Sequence, residues 1–268
     1  MKNEKITAII CGLIFFPLLV QAQQVQEAKI SALIGVELGF SEFIGKAVIP
    51  ERVDQFRTDN PIESGNLFKN SIEVSYVGIK YEQYFSEKRM EFAAGLRFSQ
   101  FSSAIHGKSS LFLFDTYDDP FLWRFGEDGI YIDYLNITRI NQIGNYLGIP
   151  LEWSYLLRGS DAFFRPYVKV GVVVNKLLST TNLIMFDNEQ MNQYADAVGK
   201  QLPKPNFFNS YFYPTLGFKL GKDHYVCLNM EIQYMPFIMA KKAHPFISGS
   251  SGVGVQLSLQ IPLNKKSK

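Results

Sequence analysis

Residues 145–176 have the sequence NYLGIPLEWSYLLRGSDAFFRPYVKVGVVVNK. Both ends of this stretch alternate bulky apolar side chains with small or polar ones, and RGSD between them has the composition of a turn. Successive side chains of a β-strand point to opposite faces, so each end predicts a strand with one apolar and one polar face. The stretch therefore predicts two neighbouring antiparallel strands joined by a short turn.

The same alternation occurs about eight times between residues 30 and 263. The predicted strands cover 30–40, 71–85, 88–103, 145–157, 163–176, 211–220, 226–234 and 253–261. In the second strand the apolar set begins with Ile72, Val74 and Tyr76 but continues with Val77 and Ile79. A slip of one residue reverses every later side chain, so this shift predicts a β-bulge near residues 76–78.

Connection lengths alternate along the chain. Turns after the second, fourth and sixth strands have about two to four residues, whereas 41–70, 104–144, 177–209 and 239–250 are long. This sorting predicts an all-β protein, an eight-stranded antiparallel up-and-down transmembrane β-barrel with short periplasmic turns and long extracellular loops. Residues 130–138 also alternate, and they predict either an extension of the fourth strand or a hairpin within the second long loop.

Alternation alone does not decide which face lies outside. A soluble lipocalin-like barrel would place the apolar residues around an internal cavity. Two observations favour lipid outside: the polar faces are rich in small residues that fit a narrow interior, and aromatic residues cluster near strand ends, as in membrane girdles. The girdle candidates are Phe40, Phe43, Tyr84, Phe85, Phe98, Phe101, Tyr225, Tyr234 and Phe237.

The N-terminus has the organisation of an export signal. Lys2 and Lys5 precede an apolar run over residues 6–20, and Val20-Gln21-Ala22 provides a cleavage site with small or apolar residues. A membrane anchor helix is the alternative, but fifteen residues fall short of the ~20 that span a bilayer. We therefore expect a cleaved signal peptide over 1–22 and a single outer-membrane barrel domain over 23–268.

Charge and cysteine content agree with export. The net charge of +2 offers no electrostatic footprint for nucleic acid. After cleavage Cys227 is the remaining cysteine, so no intramolecular disulfide forms. We expect a monomer surrounded by outer-membrane lipid.

Eight charged residues are predicted to face the barrel lumen. They are Glu37, Glu73, Glu91, Arg97, Glu152, Lys169, Lys219 and Glu231. An eight-stranded barrel is just wide enough to be filled by its own side chains, and unpaired buried charges are costly. The sequence favours a rigid plug of paired charges, and a gated ion path is the alternative.

Candidate chemistry is sparse. His106 with Asp115 or Asp118 offers an acid–base pair of the kind used by outer-membrane hydrolases and acyltransferases, although a chance loop histidine is the simpler interpretation. The acidic segment 115–119 lacks the glycine and distal glutamate of an EF-hand loop. No histidine or cysteine pair has metal-ligand spacing. We therefore expect no enzyme, no metal and no cofactor.

Two short motifs carry a family resemblance. NYLGIPLE over 145–152, followed by RPYVKVGV over 165–172, resembles the fourth and fifth strands of PorT-like outer-membrane barrel proteins, a family common in Bacteroidota. Gly148 stands where that family usually has glutamate, and the chain ends at Lys268 without a terminal aromatic residue. The resemblance implies an eight-stranded barrel in the outer membrane, and one family member is linked to protein secretion and gliding.

The expected function follows from location and loops. We expect a non-enzymatic barrel whose long loops, above all 104–144 and 177–209, bind a partner protein or an extracellular ligand, because loops on a rigid scaffold commonly carry function. A small porin-like channel is the alternative, and a rim hydrolase or acyltransferase using His106 is a distant third.

Overall fold

The structure is a computed structural model that describes residues 32–54, 71–85, 89–108, 118–127, 130–159, 162–222, 225–239 and 242–263. The predicted signal peptide and its cleavage site lie outside these residues. So do Asp115 and the side chains of His106 and Asp118. The described residues belong to one compact unit of the chain.

Twelve strands are present in the described part of the chain. They are β1 (Ala32–Ala47), β2 (Val53–Asp54), β3 (Ser71–Phe85), β4 (Met90–Lys108), β5 (Asp118–Asp119), β6 (Phe121–Glu127), β7 (Ile130–Leu156), β8 (Phe164–Phe186), β9 (Phe208–Leu220), β10 (Cys227–Ile238), β11 (Lys242–His244) and β12 (Ile247–Pro262). A 3-10 turn (Glu189–Tyr194) and helix α1 (Ala195–Gln201) lie between β8 and β9.

Eight of these strands form a closed antiparallel ring. The order around the ring is β1, β3, β4, β7, β8, β9, β10 and β12, and β12 pairs again with β1. Each strand neighbours the next barrel strand along the chain, with short turns at one rim and long connections at the other. The predicted fold class, an eight-stranded up-and-down barrel, is confirmed.

All four predicted loops contain some regular structure, and two of them contain long strand segments. Segment 104–144 holds the end of β4, all of β5 and β6, and the first half of β7; segment 177–209 holds the end of β8, α1 and the start of β9. Both predictions for 130–138 are correct, because this segment continues β7 and also pairs with β6. We call β6, residues 130–143 of β7, residues 177–186 of β8 and α1 the extension.

The outer face of the ring is an apolar band. Exposed apolar side chains alternate along every barrel strand, and examples are Val36, Leu38, Val77, Ile79, Leu96, Phe98, Ile149, Trp153, Val168, Val170, Val174, Ile232, Val255 and Leu257. On β8 the outward row runs from Phe164 to Val174. Ten residue steps at ~3.3 Å and a tilt of about 40° give a height of about 25 Å, the hydrocarbon-facing height of outer-membrane barrels.

A polar belt ends the apolar band on the long-loop side. Above Phe98, Leu147 and Val174 the outward side chains become Gln100, Asn145 and Ser179. The Gln100 amide donates to Asn145 Oδ1 at 3.3 Å, and Asn145 Nδ2 donates to Ser179 Oγ at 3.0 Å. This change from hydrocarbon to hydrogen-bonded amides places the membrane boundary below the extension.

The predicted bulge in the second strand is wrong. β3 keeps one continuous register with β1 and with β4. Ile72, Val74 and Tyr76 point inward, because the upper part of the lumen is itself apolar. Glu73 consequently lies on the opposite, outer face and is half-buried, so its prediction as a lumen residue is also wrong.

The aromatic girdle is smaller than expected, for the same reason. Phe43, Tyr84 and Phe101 have nearly fully buried side chains and point into the barrel. Phe40, Phe98, Tyr225, Tyr234 and Phe237 remain exposed, and Phe85 is half-buried.

Two prolines are accommodated differently. At Pro150, pairing between β4 and β7 is interrupted between Ala94–Leu151 and Arg97–Gly148, with the same register on both sides. Near Pro236, pairing of β10 with β9 breaks between Gln233 and Phe237, and Met235 has φ of 48°. The strand register therefore shifts near Pro236 in β10 and is unchanged across Pro150 in β7.

A charge in the apolar band should destabilise the barrel. Val170 is 49% exposed at mid-height of the band. We expect Val170→Arg to lower the free energy of unfolding by about 2–4 kcal/mol if the band lies in lipid. Denaturant unfolding in phospholipid vesicles measures this. Thr181→Arg, on the same strand above the polar belt, is the matched control with an expected cost of about 0–1 kcal/mol; equal costs would show that the band is not in hydrocarbon.

Candidate functional site

The lumen contains a compact network of ionised side chains. Ten charged residues of the described chain are buried inside the ring: Glu37, Lys80, Glu82, Glu91, Arg97, Glu152, Arg165, Lys169, Lys219 and Glu231. Five are acidic and five are basic, so the set is neutral as a whole. We call these residues the lumen network.

Glu152 is the centre of this network. Its Oε2 lies 3.1 Å from Lys80 Nζ and 3.0 Å from Lys169 Nζ, and its Oε1 lies 3.4 Å from Arg97 Nη2. Tyr213 donates its hydroxyl proton to Glu152 Oε1 at 2.6 Å. One carboxylate from β7 therefore links cations from β3, β4 and β8 across the lumen.

Each of these cations also contacts a second carboxylate. Lys80 lies 3.1 Å from Glu82, Lys169 contacts Glu231, and Arg97 Nε donates to Glu37 Oε1 at 2.7 Å. Because each of these three cations and of the carboxylates around them has an opposite partner, their desolvation inside the ring is offset by close ion pairs.

A second cluster lies toward the short-turn rim. Lys219 Nζ contacts Glu91 at 2.6 Å, Glu82 at 3.3 Å and the Tyr84 hydroxyl at 3.2 Å. Arg165 donates from Nη2 to the Gly221 carbonyl at 2.9 Å, which ties the network to the β9–β10 turn. Leu33, Tyr84, Leu156 and Tyr167 form a small apolar group with these charges.

A layer of phenols and amides lies above the charges. Tyr76 donates to Gln256 Oε1 at 2.7 Å and accepts from Gln233 Nε2 at 2.8 Å. The Arg97 guanidinium lies over the Tyr76 ring, 4.0 Å from its centroid. This stacking joins the lumen network to the upper half of the barrel.

The structure brings seven of the eight predicted charges together and places Glu73 elsewhere. Sequence reasoning missed three members of the network. Lys80 and Glu82 alternate with the outward Ile79 and Tyr81, so the alternation predicts that both side chains point inward. Arg165 lies beside Pro166 at the start of β8, where strand limits are hard to set.

Three lumen tyrosines lie directly over glycines of a neighbouring strand. The register pairs are Gly39–Tyr76, Gly171–Tyr213 and Tyr167–Gly217. A Cβ atom at these glycines would lie 2.3, 2.3 and 2.6 Å from the tyrosine Cζ. An aromatic ring thus fills the space that a side chain would occupy at each glycine. This packing compensates for the destabilising effect of glycine within a strand.

A side chain at Gly171 should force Tyr213 away from Glu152. We expect Gly171→Val to lower the unfolding free energy by about 1–3 kcal/mol through overpacking. Gly159→Val is the control, because a Cβ atom there meets no atom within 4 Å. Denaturant midpoints of the two variants give the comparison, and a harmless Gly171→Val would contradict the described packing.

An apolar cap fills the upper barrel and the base of the extension. Its buried members are Phe43, Val53, Ile72, Val74, Phe101, Ile105, Phe121, Trp123, Leu135, Ile137, Ile140, Tyr146, Val173, Val198, Leu202, Tyr211, Ile238, Phe246 and Ile247. Inside it Phe101 packs on Tyr146 with ring centroids 4.8 Å apart. The lumen is therefore charged in its lower half and closed by hydrocarbon above.

Helix α1 is fixed to the cap by side-chain hydrogen bonds. Trp123 Nε1 donates to Gln201 Oε1 at 3.2 Å, and Gln201 Nε2 donates to the Gly126 carbonyl at 3.1 Å. Asn182 Nδ2 donates to the Gly199 carbonyl at 3.1 Å. With Val198 fully buried, α1 covers the inner face of the extension.

His244 is a buried titratable group at the long-loop rim, outside the apolar band. It lies in β11 beside Phe246, and neither ring nitrogen hydrogen-bonds to a described residue. Burial lowers the pKa of His244 to about 3, because the surroundings disfavour the imidazolium.

Acidification should therefore weaken the fold through His244. The unfolded state takes up a proton near pH 6.5 and the folded state only near pH 3, so stability is full above 6.5 and is lost as the pH falls between these values. Between pH 7 and pH 5 we expect a loss of about 2 kcal/mol. His244→Leu should lack this component, so the two proteins are compared by denaturant unfolding at both pH values. An equal pH dependence would contradict the assignment to His244.

The described residues contain no group of three side chains suited to hold a metal ion. None of the described helices is long and apolar enough to cross a membrane. The predicted acid–base pair of His106 with Asp115 or Asp118 lies outside the described side chains and stays a prediction.

The closed ring, its apolar outer band and its filled interior define the class of the protein, an eight-stranded transmembrane β-barrel. No protein-family model matches the chain. No curated protein matches it either. Among solved structures, the outer membrane protein OprG from Pseudomonas aeruginosa is similar at 13% identity and a TM-score of 0.41, covering 88% of this chain and 97% of that one.

Proposed function

We propose that the protein is a non-conducting, non-enzymatic barrel of the outer membrane that presents its extension to a partner protein outside the lipid. The observation that carries the proposal is the combination of a filled lumen with two strands, β7 and β8, that continue well beyond the polar belt. The predicted signal peptide and the PorT-like resemblance agree with such a location and with a role in secretion or the cell envelope, and both remain predictions.

The filled lumen argues against conduction. An ion crossing the barrel would have to displace the paired charges around Glu152 and then pass the apolar cap, where water finds few polar partners. Hydrocarbon constrictions exclude water and ions from narrow pores. The interior is better suited to hold the strands rigidly.

The outer face of the extension carries exposed apolar side chains. Its inner face is covered by α1 and the apolar cap, whereas Tyr134, Leu183 and Met185 are exposed on its outer face. These side chains lie above the polar belt, so lipid does not account for their exposure. Exposed apolar side chains on a rigid scaffold are typical of protein-binding surfaces.

Conductance separates the proposal from the porin-like alternative. Purified protein in planar bilayers should give no steady openings, whereas an open porin measured in the same bilayers provides the positive control. Reproducible openings that disappear when the protein is heat-denatured would establish a channel instead and overturn the non-conducting barrel.

Photo-crosslinking in intact cells tests partner binding. A photoreactive residue at Tyr134 should form adducts with a discrete protein, whereas the same residue at Val170 should react with lipid. The lipid-facing position Val170 is the matched control. Equal protein adducts from both positions, or none from Tyr134, would contradict the proposal.

A further inference from the structure

One edge of the extension lacks a neighbouring strand. β9 pairs with β8 only up to Lys176–Phe208, and the last backbone contact is Leu177 N–H to the Phe207 carbonyl at 2.8 Å. Before Phe207 the chain contains Pro203 and Pro205, which have no N–H to donate. Among the described residues, β8 above Leu177 therefore pairs only with β7.

This open edge carries none of the usual protection against strand pairing. Residues 177–186 have the sequence LLSTTNLIMF, without a charge, a proline or a glycine. Natural edge strands are commonly blunted by lysine, proline or short length, and an uncharged, β-prone edge is a template for another strand. Residues 178–181 are all exposed, so no other described segment covers the edge there.

The edge is also held in place. On one side β7 pairs with it from Asn145–Ser179 to Ile137–Phe186. On its inner face Ile184 and Phe186 pack against the apolar cap, and Asn182 is bonded to α1. A strand fixed on one side and one face needs little further ordering when a new strand is added.

We propose that this edge of β8 binds an extended, uncharged segment of a partner protein as an added β-strand. The inference rests on the proposed function and assigns its binding site. Unpaired backbone amides and carbonyls are matched by another peptide backbone, which gives affinity. The outward row of Thr181, Leu183 and Met185 selects apolar or small side chains at alternate positions of that strand.

A second copy of this chain does not fit the same edge. Two barrels in one membrane are related by a two-fold axis along the membrane normal. Strands tilted by about 40° would then cross at about 80°, whereas neighbouring strands of a sheet differ by roughly 20–25°. The occupant is therefore a different chain, free to align with β8.

Phase-specific peptides test strand addition directly. The probe is a labelled peptide that copies residues 137–145, the strand that already pairs with β8 on its other side, with Arg139 replaced by glutamine. Its sequence, ITQINQIGN, is uncharged like the proposed segment. Two further versions carry N-methyl groups at every second residue. One version is methylated at the odd-numbered positions of the peptide and the other at the even-numbered positions, and these two sets are its two phases. Binding to the full chain in detergent micelles is followed by fluorescence polarisation.

One methylated phase should bind like the unmodified peptide, and the other should bind at least about tenfold more weakly, because only one phase removes donors that face β8. Equal binding of both methylated phases, or no binding of the unmodified peptide, would overturn the inference. Thr181→Lys should also weaken peptide binding, whereas Asn136→Lys should not, because the β7 backbone at Asn136 is paired on both sides. Heat-modifiable migration verifies that both variants fold.

Cell crosslinking distinguishes this inference from the broader proposal. A photoreactive residue at Thr180 should capture the same protein as one at Tyr134, and Thr181→Lys should abolish capture from Thr180. Capture from Tyr134 without capture from Thr180 would leave the proposed function standing and overturn the edge as the binding site. Adducts that join two copies of this chain would contradict the inference and show that the chain associates with itself.

Discussion

Glu152→Leu should lower the unfolding free energy of the barrel by about 3–5 kcal/mol. The change leaves Lys80, Lys169 and Arg97 around a hydrocarbon side chain and gives the lumen network one excess positive charge. Each cation keeps at least one other carboxylate, which places the expected cost toward the lower end of that range. Denaturant unfolding in phospholipid vesicles, together with heat-modifiable migration, measures it.

Two controls separate charge from packing in this experiment. Glu152→Gln keeps an acceptor for the Tyr213 hydroxyl and should cost less than Glu152→Leu. Glu73→Leu removes a half-buried carboxylate from the outer face and should cost less than about 1 kcal/mol. If Glu73→Leu and Glu152→Leu are equally harmful, the lumen network is not the source of the stability.

Trp123→Ala should release the extension while leaving the ring intact. Trp123 is fully buried in the apolar cap and holds Gln201 of α1, so its removal should cost the local structure about 3–5 kcal/mol. Amide hydrogen exchange should then rise in α1 and in residues 177–186, because these segments depend on the cap, and stay slow in β12.

The other tryptophan of the chain provides the matched control. Trp153 points outward from β7 within the apolar band. Trp153→Ala should leave exchange in α1 unchanged, because its ring does not contact the cap. Faster exchange throughout the ring in Trp123→Ala would show that extension and barrel unfold as a single unit.

The architecture of the barrel was accessible from sequence because each strand has one face in a uniform environment. Along β12, Val253, Val255 and Leu257 alternate with Gly254 and Gln256, and this pattern separates the two faces of the strand. The small and polar residues then identify the inner face, because they fit a narrow lumen. The inward charges of β4, β7 and β8 followed from the same rule. Period-2 alternation is informative wherever the two faces differ strongly.

The rule failed where both faces carry apolar residues. In β3 the inward Ile72 and Val74 meet the apolar cap, so the sequence shows a change of phase where the backbone has none. The β8 part of the extension was likewise hidden, because Ser179, Thr180 and Thr181 resemble a loop although they belong to β8. Only the three-dimensional neighbours, α1 and β7, show why these residues stay in a strand.

Hydrogen bonds across the lumen join residues that are very distant along the chain. Ser41 bonds to Gln233, 192 positions away, and Tyr76 bonds to Gln256, 180 positions away. These bonds form only when β12 meets β1, so an open sheet gains none of them and keeps its charges hydrated. Such high contact order predicts slow, all-or-none assembly. The same step sets a high kinetic barrier to opening, so the inserted barrel should persist under conditions in which it cannot form.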